Sequence, residues 1–265
     1  MAGKLEGMVC VVTGAGQGMG RESAREMARQ GGKVIVADIN EATGQETVNL
    51  IADEGGTAKF IRVDLRDSSS IKALMDNTAK TYGGIDVVHS NAAVHETELT
   101  PNTSIEELDE AVWDIVNDIN LKAVWLCTKH AVPYLKQSSA PAIVNVASTG
   151  AHVAYPMAAA YCATKGGVQM LTKASATDLA KFGIRVNCYC PAAIRTPMLA
   201  NYIAASEDKV AVEAELRGAN LLPRMGEPEE VAKLAVFLAC SESSFITGAS
   251  YLIDGGALAW RGLNG

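Results

Sequence analysis

Short uninterrupted apolar runs alternate along the whole chain with segments whose apolar residues recur at helical spacing. The runs predict strands at Val9–Thr13, Lys33–Asp38, Ala58–Arg62, Val87–Asn91, Ile143–Val146, Arg185–Tyr189 and Tyr251–Ile253. Most are rich in Val and Ile without polar alternation, the pattern of strands covered on both faces. The last helical pattern is the plainest: Pro228 opens it, and Val231, Leu234, Ala235 and Leu238 follow at i, i+3, i+4 and i+7. Such alternation implies right-handed crossovers and a parallel sheet with helices on both faces. The chain therefore reads as α/β, a doubly wound seven-stranded parallel sheet in a single domain over residues 1–265, without linker or repeat.

One stretch departs from this rhythm. Arg195–Pro223 follows the sixth strand, carries two prolines, and mixes Met198, Leu199, Tyr202 and Ile203 with a charged helical segment. An insertion beyond a strand's carboxyl end is expected to form a substrate lid, at about residues 195–223.

Composition narrows the partners. Of 265 residues, 48% are hydrophobic, enough for one large core. A net charge of −7 disfavours nucleic acid or an anionic membrane surface, which reward clustered Lys and Arg. No run approaches the roughly 20 apolar residues that span a bilayer. Met1–Gly7 lacks the apolar core of a signal peptide. Cys10, Cys127, Cys162, Cys188, Cys190 and Cys240 are scattered without a CxxC pair. Reduced structural thiols, a cytoplasmic location and no metal site are expected.

The first strand runs into Thr13-Gly14-Ala15-Gly16-Gln17-Gly18-Met19-Gly20, and a helical segment follows at once. Glycines there allow a tight turn and bring backbone N–H groups and the positive helix end against a pyrophosphate. Asp38 closes the second strand. Its carboxylate can accept from both ribose hydroxyls of an adenosine and would repel a 2′-phosphate, which favours NAD over NADP. Gln17 and Ile39 nearby are uncharged, leaving no evident cation for a 2′-phosphate. A capping role for Asp38 before Asn40 is the alternative. Asp64 and Leu65, just past the third strand, are candidates for the adenine edge, though Asp64 also suits a turn.

Tyr161 and Lys165 are four residues apart in a segment rich in helix formers, so both fall on one helical face. A phenol near pKa 10 is a poor base at neutral pH, and a neighbouring ammonium favours phenolate. Ser148 follows the fifth strand, at the sheet edge where ligands of open α/β folds collect.

These residues resemble the short-chain dehydrogenase/reductase family along essentially the whole chain. The TGxxxGxG turn appears as Thr13-Gly14…Gly18-Met19-Gly20, the NNAG-like segment as Ser90-Asn91-Ala92-Ala93, and YxxxK as Tyr161 and Lys165. Asn120 and Ser148 resemble the catalytic Asn and Ser. Pro191-Ala192-Ala193-Ile194-Arg195-Thr196 resembles the late Pro…Thr segment, and Asp254-Gly255-Gly256 the terminal DGG. The resemblance implies a Rossmann fold, an NAD cofactor and a homotetramer. Tyr161 would then exchange a proton with the substrate oxygen, and Ser148 would hydrogen-bond that oxygen. Lys165 would lower the Tyr161 pKa and bind the nicotinamide ribose, and Asn120 would hold a water linking Lys165 to solvent. Asn91, Ala92, Pro191, Ile194 and Thr196 would seat the nicotinamide end. Ala93 and Ala192 replace the usual glycines, a costly change if either position needs a positive φ.

The substrate end is read only from loops. His95, His152, Tyr155, Met157, Met198 and Tyr202 lie near strand ends or in the lid and could line a mixed apolar pocket; a solvated loop position is the alternative for each His. Trp260 is expected in the core or at a subunit interface. Ser104–Leu135 carries Trp113, Ile115, Val116, Ile119, Val124 and Leu126 at helical spacing, to be buried on this chain's own sheet or on another subunit. The implied activity is hydride transfer between NAD(H) and a secondary alcohol or ketone. A 3-oxoacyl-carrier-protein reductase and a non-catalytic NAD-binding sensor or scaffold are the alternatives.

Overall fold

Seven parallel strands form the sheet: Val9–Thr13 (β1), Lys33–Asp38 (β2), Thr57–Arg62 (β3), Val87–Ser90 (β4), Ala142–Val146 (β5), Arg185–Pro191 (β6) and Ser250–Ile253 (β7). They lie in the order β3-β2-β1-β4-β5-β6-β7. The structure is a computed structural model that describes residues 3–260. Met1 and Ala2, the first two residues of the Met1–Gly7 stretch, and residues 261–265 lie outside that range. β6 runs two residues past its predicted end because Pro191 pairs with Ile253 of β7. Proline tolerates that place because it is the strand's last residue.

Strand alternation builds two cores. Cys10, Val12, Val34 and Val36 point to one face, where they meet Ala24, Met27, Ile51, Val231 and Ala235. Those partners come from Gly18–Arg29 (α1), Glu41–Asp53 (α2) and Pro228–Ala239 (α9). Val11, Ile35 and Ala37 point to the opposite face, against Ile71, Leu74, Leu126, Ala176 and Leu179. These belong to Ser68–Tyr82 (α3), Ala123–Leu135 (α5) and Ala159–Leu179 (α6). The result is the doubly wound Rossmann arrangement. Among the described residues no helix is long and apolar enough to cross a membrane.

Three predicted features take a different form. Ser104–Leu135 is helical only from Glu110, as Glu110–Asn117 (α4), a π-helical turn at Asp118–Lys122, and α5. Its stripe divides accordingly: Val116, Val124 and Leu126 are buried in this chain, Ile115 and Ile119 line a cavity, and Trp113 is exposed, as is Trp125 outside the stripe. The insertion folds as Pro197–Ala205 (α7) and Lys209–Gly218 (α8), closed at its base by a parallel bridge from Ile194 to Gly226. Trp260 is not a core residue; its indole N–H donates to Ala219 O beyond α8 at 3.1 Å.

The chain reverses its direction of winding between β1 and β4, so their carboxyl ends diverge into a crevice, the usual ligand site of such sheets. The glycine turn lies there, with α1 packed tightly on it. A Cβ at Gly20 would stand 2.0 Å from Gly14 O. Gly20→Ala should therefore destabilise the fold by about 1–3 kcal/mol, the usual range for overpacking. A denaturant midpoint equal to the wild type's would mean that α1 is free to lift off the turn.

Candidate active site

A cavity of about 460 Å³ runs along this crevice from Asp38 to Tyr161 and Lys165. Gly14, Gln17, Gly18 and Met19 form its floor at the turn. Gly14 has φ +62°, and a Cβ on it would reach Ala92 Cα at 2.8 Å, so the position needs glycine twice over. Gln17, at the N-cap of α1, makes no side-chain cap. The first-turn N–H groups of α1 are therefore left for a ligand, and the helix dipole favours an anionic one. Gly20 serves this arrangement from behind, by letting α1 approach.

At one end of the cavity, Asp38 Oδ2 accepts from Gly16 N at 2.8 Å and Oδ1 from Asn40 N at 3.0 Å. Its carboxylate thus shapes the turn while remaining on the cavity wall. The cap of α2 is Asn40, whose Oδ1 accepts from Ala42 N and Thr43 N. Asp64 and Leu65 share this wall with Arg66, a cation that periodicity gave no reason to place there. Arg66 is paired with Asp64 at 3.2 Å, which holds the Asp64 carboxyl below its ordinary range.

Asn91, Ala92, Pro191, Thr196 and Met198 border the other half of the cavity. The Asn91 amide is a strut: Nδ2 donates to Thr13 O and Gly14 O at 3.1 and 3.2 Å, tying β4 to β1. Ile194 departs from expectation. Its side chain joins the core and packs on Gly226, and the residue is not among those lining the cavity. Neither Ala93 nor Ala192 has a positive φ; among the described residues Met157 is the one non-glycine that does. The two alanines are accommodated without backbone strain.

Ser148, Tyr161 and Lys165 come together, and Asn120 joins them at one remove, through Thr164 of the helix that carries Tyr161 and Lys165. Ser148, 4% exposed at the end of β5, accepts from Gly150 N at 3.0 Å and stands beside the Tyr161 hydroxyl. Lys165 is 2% exposed; its Nζ donates to Val146 O at 2.9 Å and lies 5.5 Å from the Tyr161 ring centroid. Asn120 sits in the π-helical turn, a local widening that turns its amide inward. Oδ1 accepts from Val94 N at 2.9 Å, and Nδ2 donates to Val94 O at 2.8 Å and Thr164 Oγ1 at 3.3 Å. Its hydrogen-bond partners are thus the Val94 backbone and Thr164, and Lys165 is not among them.

The electrostatics differ from the simple expectation of a phenol made acidic by its neighbour. Burial of the hydroxyl end pushes the Tyr161 phenol above its ordinary range, and the Ser148 hydroxyl opposes that rise. Burial also lowers Lys165 to about 8. Both effects have one cause: enclosure disfavours whichever form is charged. Among the described residues Lys165 has no carboxylate partner to offset it, and its Nζ donates to a carbonyl.

His95 lies against Tyr161 with the rings tilted by 35° and centroids 4.8 Å apart, and Tyr202 of α7 lies 6.4 Å from His95. The Tyr155 hydroxyl bonds Thr149, which donates to Pro191 O at 3.2 Å. Of the six expected pocket residues Met198 borders the cavity. His95, Tyr155 and Tyr202 are not among its lining residues, Tyr202 lining a separate cavity with Leu99 and Ser206. His152 and Met157 point to solvent. His152 is exposed and meets the Gln169 amide at 2.6 Å, and Met157 is exposed on its left-handed turn. Val94 and Leu99 take their place on the apolar wall. Neither carries a motif in the sequence.

Comparison with known proteins agrees with this geometry. A protein-family model described as enoyl-(acyl carrier protein) reductase matches residues 14–257. The cis-4-hydroxycyclohexanecarboxylate dehydrogenase of Sinomonas cyclohexanicum is 37% identical over 251 residues, 95% of this chain and 96% of that one. The cyclohexanol dehydrogenase of Acinetobacter sp. (strain SE19) is 35% identical over 255 residues, 96% of each chain. The crystal structure of levodione reductase superposes with a TM-score of 0.91 at 27% identity, covering 97% of this chain and all of that one. The chain belongs to the short-chain dehydrogenase/reductase family. It is an oxidoreductase.

The buried ammonium has a measurable signature. The folded Lys165 pKa is depressed from 10.5 to about 8, so its penalty on stability is full below pH 8. That penalty fades as pH rises from about 8 to 10.5. Lys165→Met keeps the stem and removes the charge. Without dinucleotide it should unfold at higher denaturant at pH 7, by on the order of 1–3 kcal/mol, with the advantage vanishing by about pH 10.5. An equal or lower midpoint at pH 7 would show the charge to be well solvated.

Proposed function

We propose that this chain is an NAD-dependent dehydrogenase that interconverts a secondary alcohol and its ketone, with Tyr161 exchanging the hydroxyl proton. One observation carries the reading: a single cavity has the Asp38 carboxylate at one end and the Tyr161 hydroxyl, flanked by Ser148, at the other.

The residues present fit a dinucleotide. A Cβ-free turn at Gly14 and the uncapped start of α1 suit a pyrophosphate, seated by Gly14, Gln17, Gly18, Met19 and Gly20. The Asp38 carboxylate favours free ribose hydroxyls over a 2′-phosphate, and Arg66 is neutralised by Asp64. Asp64 and Leu65 would flank the adenine. Asn91, Ala92, Pro191, Thr196 and the Ile194 backbone would seat the nicotinamide end. When bound, NAD supplies the hydride chemistry.

The protein's own part is the proton and the charge. Tyr161 holds its proton at neutral pH, ready to give it to a carbonyl oxygen in reduction, and takes it from the alcohol in oxidation. Ser148 donates to the same oxygen as charge gathers there. Lys165, beneath the ring, supplies the positive potential that favours the phenolate when Tyr161 gives up its proton. Asn120 fixes the Val94 segment against α6.

Val94, Leu99 and Met198 make the cavity wall apolar. His95 beside the Tyr161 ring, Tyr202 beyond it and Tyr155 would add polar edges around a substrate, under α7–α8 as the lid. Relatives named for cyclohexanol and cis-4-hydroxycyclohexanecarboxylate support a cyclic, largely apolar alcohol as substrate. A 3-oxoacyl-carrier-protein reductase, favouring NADPH and a basic docking patch, fits less well with Asp38 and a net charge of −7. Exposed Trp113 and Trp125 support a homotetramer, and six free cysteines support the cytoplasm.

Cyclic secondary alcohols assayed with NAD by absorbance of the reduced nicotinamide should show turnover, and NADP should support much less. Tyr161→Phe should lower kcat by about 10²- to 10⁴-fold while leaving the Kd for NADH within about twofold. Undiminished turnover in that variant would overturn the assignment.

A further inference from the structure

Glu96 is a carboxylate with no solvent exposure, in the short 3-10 turn Glu96–Glu98 between β4 and α4. Buried carboxylates persist where hydrogen bonds meet their charge. Its Oε1 accepts from the backbone N–H groups of Ala160 at 3.0 Å and Tyr161 at 3.2 Å. These are first-turn donors of α6, which have no partner within the helix. The N-cap residue of α6, Ala158, has no side-chain acceptor to offer. The helix that carries Tyr161 and Lys165 is therefore capped from a residue 64 positions earlier in the chain.

We infer that Glu96 is a positioning residue for the proton-exchanging phenol. Its buried carboxylate fastens the first turn of α6, and with it Tyr161, to the segment that walls the same cavity. The inference rests on the reading of Tyr161 as the group that trades a proton with the substrate. Val94, held by Asn120, and His95, tilted against the Tyr161 ring, flank the attachment on its own side. Releasing the cap would free the helix start relative to both.

The charge has a second effect. Tyr161 is faced by Ser148 at the end of β5, by Lys165 and Cys162 on its own helix, and by Tyr155 on the preceding loop. His95 and Glu96 face it from the 3-10 turn. The Glu96 carboxylate opposes ionisation of the phenol. Its other oxygen, Oε2, has no hydrogen-bond partner and lies 3.6 Å from His95 Nδ1. A glutamine at this position keeps an acceptor for the two N–H groups and deletes the charge. Alanine deletes both.

Two readouts on the full-length protein separate these effects: backbone amide exchange of residues 158–165 without substrate, and the pH profile of alcohol oxidation with NAD. In Glu96→Ala, the Ala160 and Tyr161 amides should exchange at least about tenfold faster. Its kcat should fall by about tenfold to a hundredfold, with the KM for NAD within about twofold. Glu96→Gln should restore slow exchange and most of kcat, and its rising limb should begin at lower pH than the wild type's. Unchanged exchange in Glu96→Ala, or a Glu96→Gln profile whose limb does not move, would overturn the inference. Should Glu96→Ala fail to fold, the Glu96→Gln profile and exchange decide it. Should the wild type oxidise no alcohol, the dehydrogenase reading fails, and exchange still decides whether Glu96 fastens the helix.

Discussion

A lysine ammonium enclosed beneath a tyrosine ring, with one carbonyl as its hydrogen-bond partner, is the interaction to which the site is fitted. Enclosure lowers Lys165 to about 8, which leaves it cationic at neutral pH but nearer to neutrality than a solvated lysine, and raises Tyr161, which keeps its proton. The fold bears the cost of burying the charge. Local instability at a site of chemistry is the common trade between stability and activity.

That enclosure depends on polar struts rather than on apolar packing alone. Asn91 ties the ends of β1 and β4, Asn120 clamps Val94 to α6 through Thr164, and Glu96 caps the start of α6. All three are buried, and all three act on the segment from Asn91 to Glu96 or on the helix it touches. A loop fixed at three points presents its backbone to a ligand with little freedom to rearrange, which is what an oriented transfer requires. The glycines at Gly14 and Gly20 do the complementary task, removing side chains where backbone must approach backbone.

What could be read in the sequence followed from local rules. Strand cores such as Val34–Ala37 are written in residue type, and the glycine turn, Asp38 and the Tyr161–Lys165 spacing are short-range patterns. What could not be read depends on distant packing. The π-helical turn that aims Asn120 breaks a pattern that otherwise looks like plain helix. Glu96 looks like any acid in a polar loop until α6 arrives above it. Arg66 enters the cavity wall because of where β3 ends in space, and His152 leaves it because Gln169 draws it toward β7. The phenol's burial likewise emerges only when β5, α6 and the 92–98 segment meet, and residue spacing alone gives no sign of it.

The most direct measurement is an NMR titration of the Lys165 ammonium in the dinucleotide-free wild-type protein, with isotope-labelled lysine and Lys165→Met to assign the signal. A midpoint near 8 is the expected result, set apart from the surface lysines. A midpoint at the ordinary value near 10.5 would contradict the enclosure of that charge beside Tyr161.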